Sequence, residues 1–282
     1  MKNIKNRLAF SMLELIFVIV ILGIVASIGS EVIAKVYESY IVQRAQHRAS
    51  VKTQLALNQI ATRLRYAIPD TVIRKLTKTG ASELLSDYMS LDTTGEGYTV
   101  LQWVAYDGDS FEAITSNANT GAGRRPGWSG FCDLNSSTST SISTPASNFT
   151  LTNAIQSNLG GSGTFAIYFP NNSTAYYGTG SGQTITLGTA ATRISERYKL
   201  AWTSYALVVE DDDGDGKFDL NLYYNFSPTV GTNTVGSSSL LLKNVTNFKF
   251  TGRGQTTRIK LCVEENIGDG GSIPSCKEKA VF

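Results

Sequence analysis

The sequence predicts an α+β protein in which a long N-terminal helix packs against an antiparallel β-sheet head with long loops. Residues 1–79 contain only two of the 26 glycines and carry apolar side chains at helical spacing. Residues 80–282 consist of short runs rich in β-formers, separated by Gly, Asn, Asp and Ser. The charge divides at the same point, because the first part holds 12 basic and 4 acidic side chains and the second part 13 and 19. Residues 1–79 and residues 80–282 therefore differ in glycine content, apolar periodicity and net charge, as two structurally distinct parts would.

The chain begins with a basic segment and a long apolar run. Residues 1–9 carry three basic side chains and no acid, and residues 10–30 contain Glu14 as their only charged side chain. A helix of this length spans roughly 30 Å, which is the hydrocarbon thickness of a bilayer. The positive-inside tendency predicts a cytoplasmic N-terminus, with residues 31–282 on the other side of the membrane.

Two ordinary explanations of the apolar run compete with a more specialised one. A cleaved secretory signal would end in a site with small residues, and the run instead continues into Glu31 and the helical pattern beyond it without a clean site. A plain signal anchor accounts for the run but leaves Glu14 unexplained. A carboxylate inside an apolar segment is costly to insert into a membrane, so Glu14 indicates a functional residue with a partner.

Residues 7–15, Arg-Leu-Ala-Phe-Ser-Met-Leu-Glu-Leu, precede the rest of this apolar run. They resemble the prepilin leader of type IV pilins and type II secretion pseudopilins. The resemblance implies that a prepilin peptidase cuts between Ala9 and Phe10 and that the new amine of Phe10 is methylated. It also implies that Glu14, then the fifth residue, pairs with the Phe10 amine of a neighbouring subunit during assembly. Ala9 stands where the family usually has glycine.

The resemblance implies a minor pilin or pseudopilin, similar to the J-type, that acts in protein secretion, pilus assembly or DNA uptake. Its partners would be the prepilin peptidase, other pilins or pseudopilins in a filament, and an inner-membrane assembly platform. The expected location is the bacterial inner membrane as a single-pass protein with a periplasmic head, and then the pilus or pseudopilus. The expected division is a cleaved leader (1–9), a transmembrane and filament-core helix (10–30), a helical stalk (31–69) and a β-rich head (70–282).

A different class of function stays open beside this one, namely a membrane-tethered binding module that never polymerises. An enzyme is not expected, because the sequence contains no nucleophile elbow, phosphate-binding loop or dinucleotide fingerprint.

The stalk continues the helical pattern and ends at a proline. Apolar residues recur at helical spacing as far as Ile68, and Pro69 disfavours a helical conformation at the residue before it. A helix over residues 11–68 would be roughly 87 Å long. Its basic side chains are interpreted mainly as a solvated face, with anionic lipid or nucleic acid as a weaker alternative partner. These basic residues are Arg44, Arg48, Lys52, Arg63 and Arg65.

The head is predicted to consist of strands and long loops. Two stretches rich in Ser, Thr, Asn and Gly, residues 132–163 and 171–182, are expected to form surface loops. The closing strands, over 241–250 and 258–261, are similar to those of J-type minor pseudopilins. The strand predictions are Gly97–Tyr106, Thr164–Phe169, Gln183–Leu187, Tyr198–Glu210, Lys217–Phe226, Leu240–Phe250 and Thr257–Val263.

An acidic turn between two predicted strands has the pattern D-x-D-x-D-G-x-x-D. Alternating carboxylates of this kind converge on a hard cation, so the sequence predicts a structural Ca²⁺ site. The side chains of Asp211, Asp213 and Asp215, the carbonyl of Lys217 and the side chain of Asp219 would be the ligands. The alternative is an acidic hairpin turn without a metal. Calcium in a loop of the head also occurs among pseudopilins, which supports the site by resemblance.

Two of the three cysteines, Cys262 and Cys276, lie 14 residues apart near the C-terminus. In an oxidising compartment this spacing suits a disulfide that closes a surface loop, worth ~3 kcal/mol in the chain-entropy model. Many type IV pilins have a similar C-terminal disulfide loop. Cys132 is then a buried thiol or an intermolecular partner, and connectivities that involve it stay open.

Overall fold

The computed structural model describes residues 11–85, 97–115, 124–211, 214, 217–253, 255–268 and 271–281. Within these residues the chain forms three helices, α1 (Met12–Leu64), α2 (Gly108–Glu112) and α3 (Phe149–Asn158). The strands are β1 (Ile73–Lys75), β2 (Ser82–Leu84), β3 (Val100–Ala105), β4 (Ile114–Thr115), β5 (Arg125–Pro126), β6 (Ser141–Ser143), β7 (Phe165–Tyr168), β8 (Tyr176–Ser181), β9 (Thr184–Leu187), β10 (Lys199–Ala201), β11 (Thr203–Glu210), β12 (Phe218–Phe226), β13 (Ser237–Arg253), β14 (Thr256–Gly268) and β15 (Gly271–Val281).

The long N-terminal helix is confirmed, and it ends four residues before the predicted end. Helix α1 stops at Leu64, ahead of Ile68, at which Pro69 disfavours the helical conformation. The backbone N–H of Ile68 instead donates to the carbonyl of Val104, at 2.8 Å. The Ile68 side chain is buried between strands, so this apolar position of the helical pattern belongs to the head.

The chain divides into two compact units, and the division falls inside α1. One unit comprises the chain up to Arg48 together with Glu265–Ile273, and the other comprises Ala49–Glu264 together with the C-terminus from Pro274. The last 16 residues of α1 therefore fold with the head, whereas the sequence placed the start of the head at residue 70. An isolated fragment of residues 70–282 would lack part of its own core.

The main sheet has eight strands in the order β15-β14-β13-β12-β11-β3-β1-β2. The packing of α1 against this sheet confirms the predicted architecture. Leu57, Ile60 and Leu64 of α1 are buried in one apolar cluster with Trp103 of β3 and Leu207 of β11. Ala49, Ala56 and Ala61 join the same cluster.

The buried face of α1 does not include every apolar residue of the stalk. Leu55 is 57% exposed, whereas Leu57 is 2% exposed. Residues two apart on a helix point about 200° away from each other, so the two leucines cannot share a face. The buried face follows Leu57, Ile60 and Leu64, which are spaced by three and four residues, and small alanines complete it.

A second sheet has five strands in the order β10-β7-β8-β9-β6. Its strands β7, β9 and β10 lie within predicted strands, but β6 and β8 form from the two segments that were expected to be long surface loops, so that loop expectation is wrong. Residues 132–163 contain β6 and α3, and residues 171–182 contain β8. Phe149 at the start of α3 is fully buried, and a Cβ at Gly180 of β8 would lie 2.3 Å from its ring. Glycine has a low strand propensity, but the close packing of the Phe149 ring requires a residue without a Cβ at position 180.

The predicted strand Tyr198–Glu210 is also divided between the sheets. Its first part is β10, which pairs with β7 in the five-stranded sheet, and its second part is β11, which pairs with β3 and β12. The break falls at Trp202, between two strands whose residues are individually typical of β-structure. The sequence pattern cannot distinguish one long strand from two short ones in different sheets.

Asp107 joins the two sheets immediately after β3. Its N–H donates to the carbonyl of Leu200 at 2.7 Å, and its carboxylate accepts from the N–H of Ser110 at 3.0 Å. The second carboxylate oxygen accepts from Nε2 of Gln156 on α3, at 3.1 Å. Asp107 is 4% exposed, and this burial raises the pKa of its carboxyl. It is a structural residue that the sequence analysis did not identify.

Candidate functional site

Residues 12–30 of α1 form an apolar surface. Large apolar side chains from Met12 to Ile28 are exposed all round the helix; Phe17, for example, is 61% exposed. By length and composition this helix is able to cross a membrane. A helix that is apolar on every side is stable only when lipid or other protein covers it. This segment is the first element of the candidate site.

Glu14 lies in the first turn of α1, where the helix is capped by Ser11. The Glu14 N–H donates to Oγ of Ser11 at 3.2 Å, and the Leu15 N–H donates to the carbonyl of Ser11 at 3.2 Å. Ser11 and Glu14 have the S-x-x-E spacing of a capping box. The sequence analysis did not use this signal, although it is visible in the sequence. Ala9 and Phe10, the predicted cleavage residues, lie outside the described residues.

The acidic turn connects β11 to β12, as predicted. Oδ1 of Asp211 accepts from the N–H of Gly214 at 2.9 Å, and Gly214 has a φ of 70°, which favours glycine. Asp213 and Asp215 lie outside the described residues. Within the described ranges, no group of three or more His, Cys, Asp and Glu side chains is arranged to hold a metal ion. The Ca²⁺ site stays a prediction.

Asp219, a predicted ligand, has partners within the protein. It is 6% exposed, and its Oδ1 accepts from the backbone N–H of Asn244 on β13, at 3.2 Å. Nζ of Lys243 lies 3.6 Å from its Oδ2. Asp219 therefore helps to hold β12 against β13, whether or not it also reaches a cation.

Glu210 at the base of the turn is neutralised by a distant lysine. Nζ of Lys78 lies 2.7 Å from its Oε2, and the hydroxyl of Tyr223 donates to its Oε1 at 2.6 Å. Burial opposes the ionisation of Glu210, but these hydrogen bonds outweigh it and hold its pKa below the ordinary value. Residues 210–219 contain six acidic side chains and a single basic one, that of Lys217. Lys78 and Lys243, from outside this segment, add two positive charges close to it and so reduce the repulsion.

We expect Ca²⁺ to raise the melting temperature of the full-length protein in detergent. An ion at 100 times its dissociation constant adds about 2.7 kcal/mol, which corresponds to a shift of roughly 5–10 °C for a domain of this size. The measurement is a melting curve in Ca²⁺ and in EGTA. Asp213→Asn should abolish the difference, whereas Asp70→Asn, an exposed acid elsewhere, should retain it. Equal melting temperatures for the wild type in both buffers would contradict the metal site.

The predicted disulfide is confirmed. Cys262 of β14 and Cys276 of β15 are bonded, so the link joins neighbouring strands at one end of the main sheet. Cys132 is a free, buried thiol with its Sγ 3.4 Å from Oγ of Ser137. Burial raises the pKa of this thiol, which makes it a poor nucleophile.

Comparison of the chain with protein-family models, with curated proteins and with solved structures finds no significant match.

Proposed function

We propose that this chain is a minor pilin or pseudopilin subunit, held in the membrane by α1 and then assembled into a filament. The observation that carries the proposal is the exposed apolar stretch of α1 over residues 12–30, with Glu14 near its N-terminal end. Lipid would cover this apolar surface before assembly, and the helices of neighbouring subunits would cover it afterwards. The role is mechanical rather than catalytic.

The orientation follows from charge and redox chemistry. The basic residues 1–9 favour the cytoplasmic side, so the head lies outside the membrane. The disulfide between Cys262 and Cys276 suits the oxidising compartment in which such a head would fold. In bacteria this compartment is the periplasm, from which the head would enter a type IV pilus or a type II secretion pseudopilus.

Glu14 has a specific role in this proposal. Cleavage between Ala9 and Phe10 leaves a charged amine, which becomes buried among apolar helices in a filament. Burying a charge without a partner is strongly unfavourable. A carboxylate at the same depth in the filament core offsets this cost by pairing with the amine. Glu14 of an incoming subunit supplies this carboxylate to the Phe10 amine of its neighbour.

A membrane-tethered binding module that never polymerises is the second candidate function. The observation that favours it is the position of Glu14 in the capped first turn of α1, because an acidic side chain there stabilises a helix N-terminus without any partner subunit. In this alternative α1 is an anchor only, and the charge of Glu14 serves the helix terminus.

We expect mass spectrometry of the protein purified from its native membrane to give Phe10 as the N-terminal residue, with a methyl group on its amine. The basic leader would be absent, because the peptidase acts on the cytoplasmic side of the apolar run. The Ala9→Gly variant, which restores the usual family residue, should be processed at least as completely. An intact Met1, or a new N-terminus after Ser30, would mean that the leader is not a prepilin leader.

A further inference from the structure

A groove of about 500 Å³ lies between the last turns of α1 and the head. Side chains from α1 form one wall, and the end of β3, the start of α2 and one residue of β11 form the other. All of these residues belong to the same compact unit. The volume lies within the range that small-molecule sites occupy in proteins. The residues that carry the argument are Asn58, Gln59, Arg63, Tyr66, Asp109 and Tyr205.

The walls combine polar and apolar surface and carry no net charge. Arg63 and Asp109 are the charged side chains of the lining, and both are exposed. Amide groups come from Asn58 and Gln59, whereas Leu55 is the single large aliphatic side chain among the lining residues. The groove therefore offers both hydrogen-bond donors and acceptors. A ligand of high net charge does not match such a lining.

Three tyrosines add aromatic surface to this polar lining. The rings of Tyr66 and Tyr106 have centroids 5.2 Å apart, and Tyr205 is stacked on the buried Trp103 at 6.0 Å. Because Tyr205 is backed by a core residue, its ring is held in place before any ligand arrives. The guanidinium of Arg63 lies over the Tyr205 ring, 5.5 Å from its centroid. Planar polar groups and aromatic faces thus occur side by side.

We propose that this groove binds a saccharide. A sugar ring presents an apolar C–H face, which packs on an aromatic ring, and a rim of hydroxyl groups, each of which donates and accepts. Arg63 and Gln59 are placed to donate to this rim, and Asp109 is placed to accept from it. Because the charges of Arg63 and Asp109 cancel, the lining has no net charge and favours a neutral sugar. This binding does not depend on filament assembly, so it holds for either candidate function.

The test is ligand-detected saturation-transfer NMR on the full-length protein, with the methyl glycosides of glucose, galactose, mannose and N-acetylglucosamine. The detergent must have no sugar head group, because a glycoside detergent would compete for the groove. We expect saturation transfer to at least one glycoside. Arg63→Ala and Gln59→Ala, both at exposed helix positions, should each weaken that binding about tenfold or more, since each removes hydrogen bonds to the ligand.

Arg65→Ala is the matched control, because Arg65 is an exposed arginine two positions away that does not line the groove. It should bind the glycoside like the wild type, and melting curves should show that all three variants fold. The proposal is overturned if no glycoside gives a signal, or if Arg63→Ala and Arg65→Ala bind equally well.

Discussion

Replacing Glu14 by glutamine is expected to abolish incorporation of the protein into filaments while leaving its insertion into the membrane intact. On the proposed assembly, the substitution leaves the Phe10 amine of the neighbouring subunit buried without an opposite charge. Removing one partner of a buried ion pair costs about 3–5 kcal/mol, which corresponds to a loss of more than about a hundredfold in the assembly equilibrium. The measurement is quantitative immunoblotting of the sheared filament fraction against the membrane fraction.

The glutamine variant separates the two possible roles of Glu14. Glutamine retains the length and the hydrogen-bonding capacity that a capping box requires, but it removes the charge. Ser11→Ala is the complementary control, because it removes the capping oxygen that accepts from the Glu14 N–H and retains the carboxylate. We expect Ser11→Ala to assemble and Glu14→Gln to fail. Assembly of Glu14→Gln at the wild-type level would refute charge pairing. Absence of the wild-type protein itself from the filament fraction would favour the tethered, non-polymerising module.

Truncating Leu57 to alanine is expected to destabilise the head by about 2–5 kcal/mol. Leu57 is 2% exposed in the cluster that joins α1 to the main sheet, so the substitution leaves a cavity among well-packed side chains. The measurement is denaturant unfolding of the full-length protein in detergent. Tryptophan fluorescence is a suitable signal because Trp103 is fully buried in the same cluster.

Leu55→Ala is the matched control for this prediction. It makes the same chemical change two residues away on the same helix, but Leu55 is 57% exposed. We therefore expect Leu55→Ala to change the free energy of unfolding by less than about 0.5 kcal/mol. If both variants lost the same stability, α1 would not pack on the sheet through the face that contains Leu57.

The sequence by itself determined the features that depend on neighbours along the chain. The apolar run with Glu14 fixes where the membrane-compatible part of α1 lies, because transfer into an apolar environment depends on the side chains of one segment. Pro69 limits the extent of the helix through a steric clash with the residue before it. The disulfide between Cys262 and Cys276 was predictable because the two residues lie only 14 positions apart. That they link two neighbouring strands rather than close a surface loop was not.

Only the tertiary structure decided the features that depend on residues far apart in the chain. Lys78 neutralises Glu210 across 132 positions, and Asp219 accepts a hydrogen bond from a backbone group 25 positions away. The local propensity of Gly180 favours a loop, yet it lies in a strand at a position where the ring of Phe149 leaves no room for a Cβ. The local sequence pattern indicates which residues are buried, whereas the topology of the two sheets determines which distant groups come into contact. Tertiary packing therefore determines that Leu57, and not Leu55, is buried in the core. It also places the last turns of α1 beside the tyrosines of the groove.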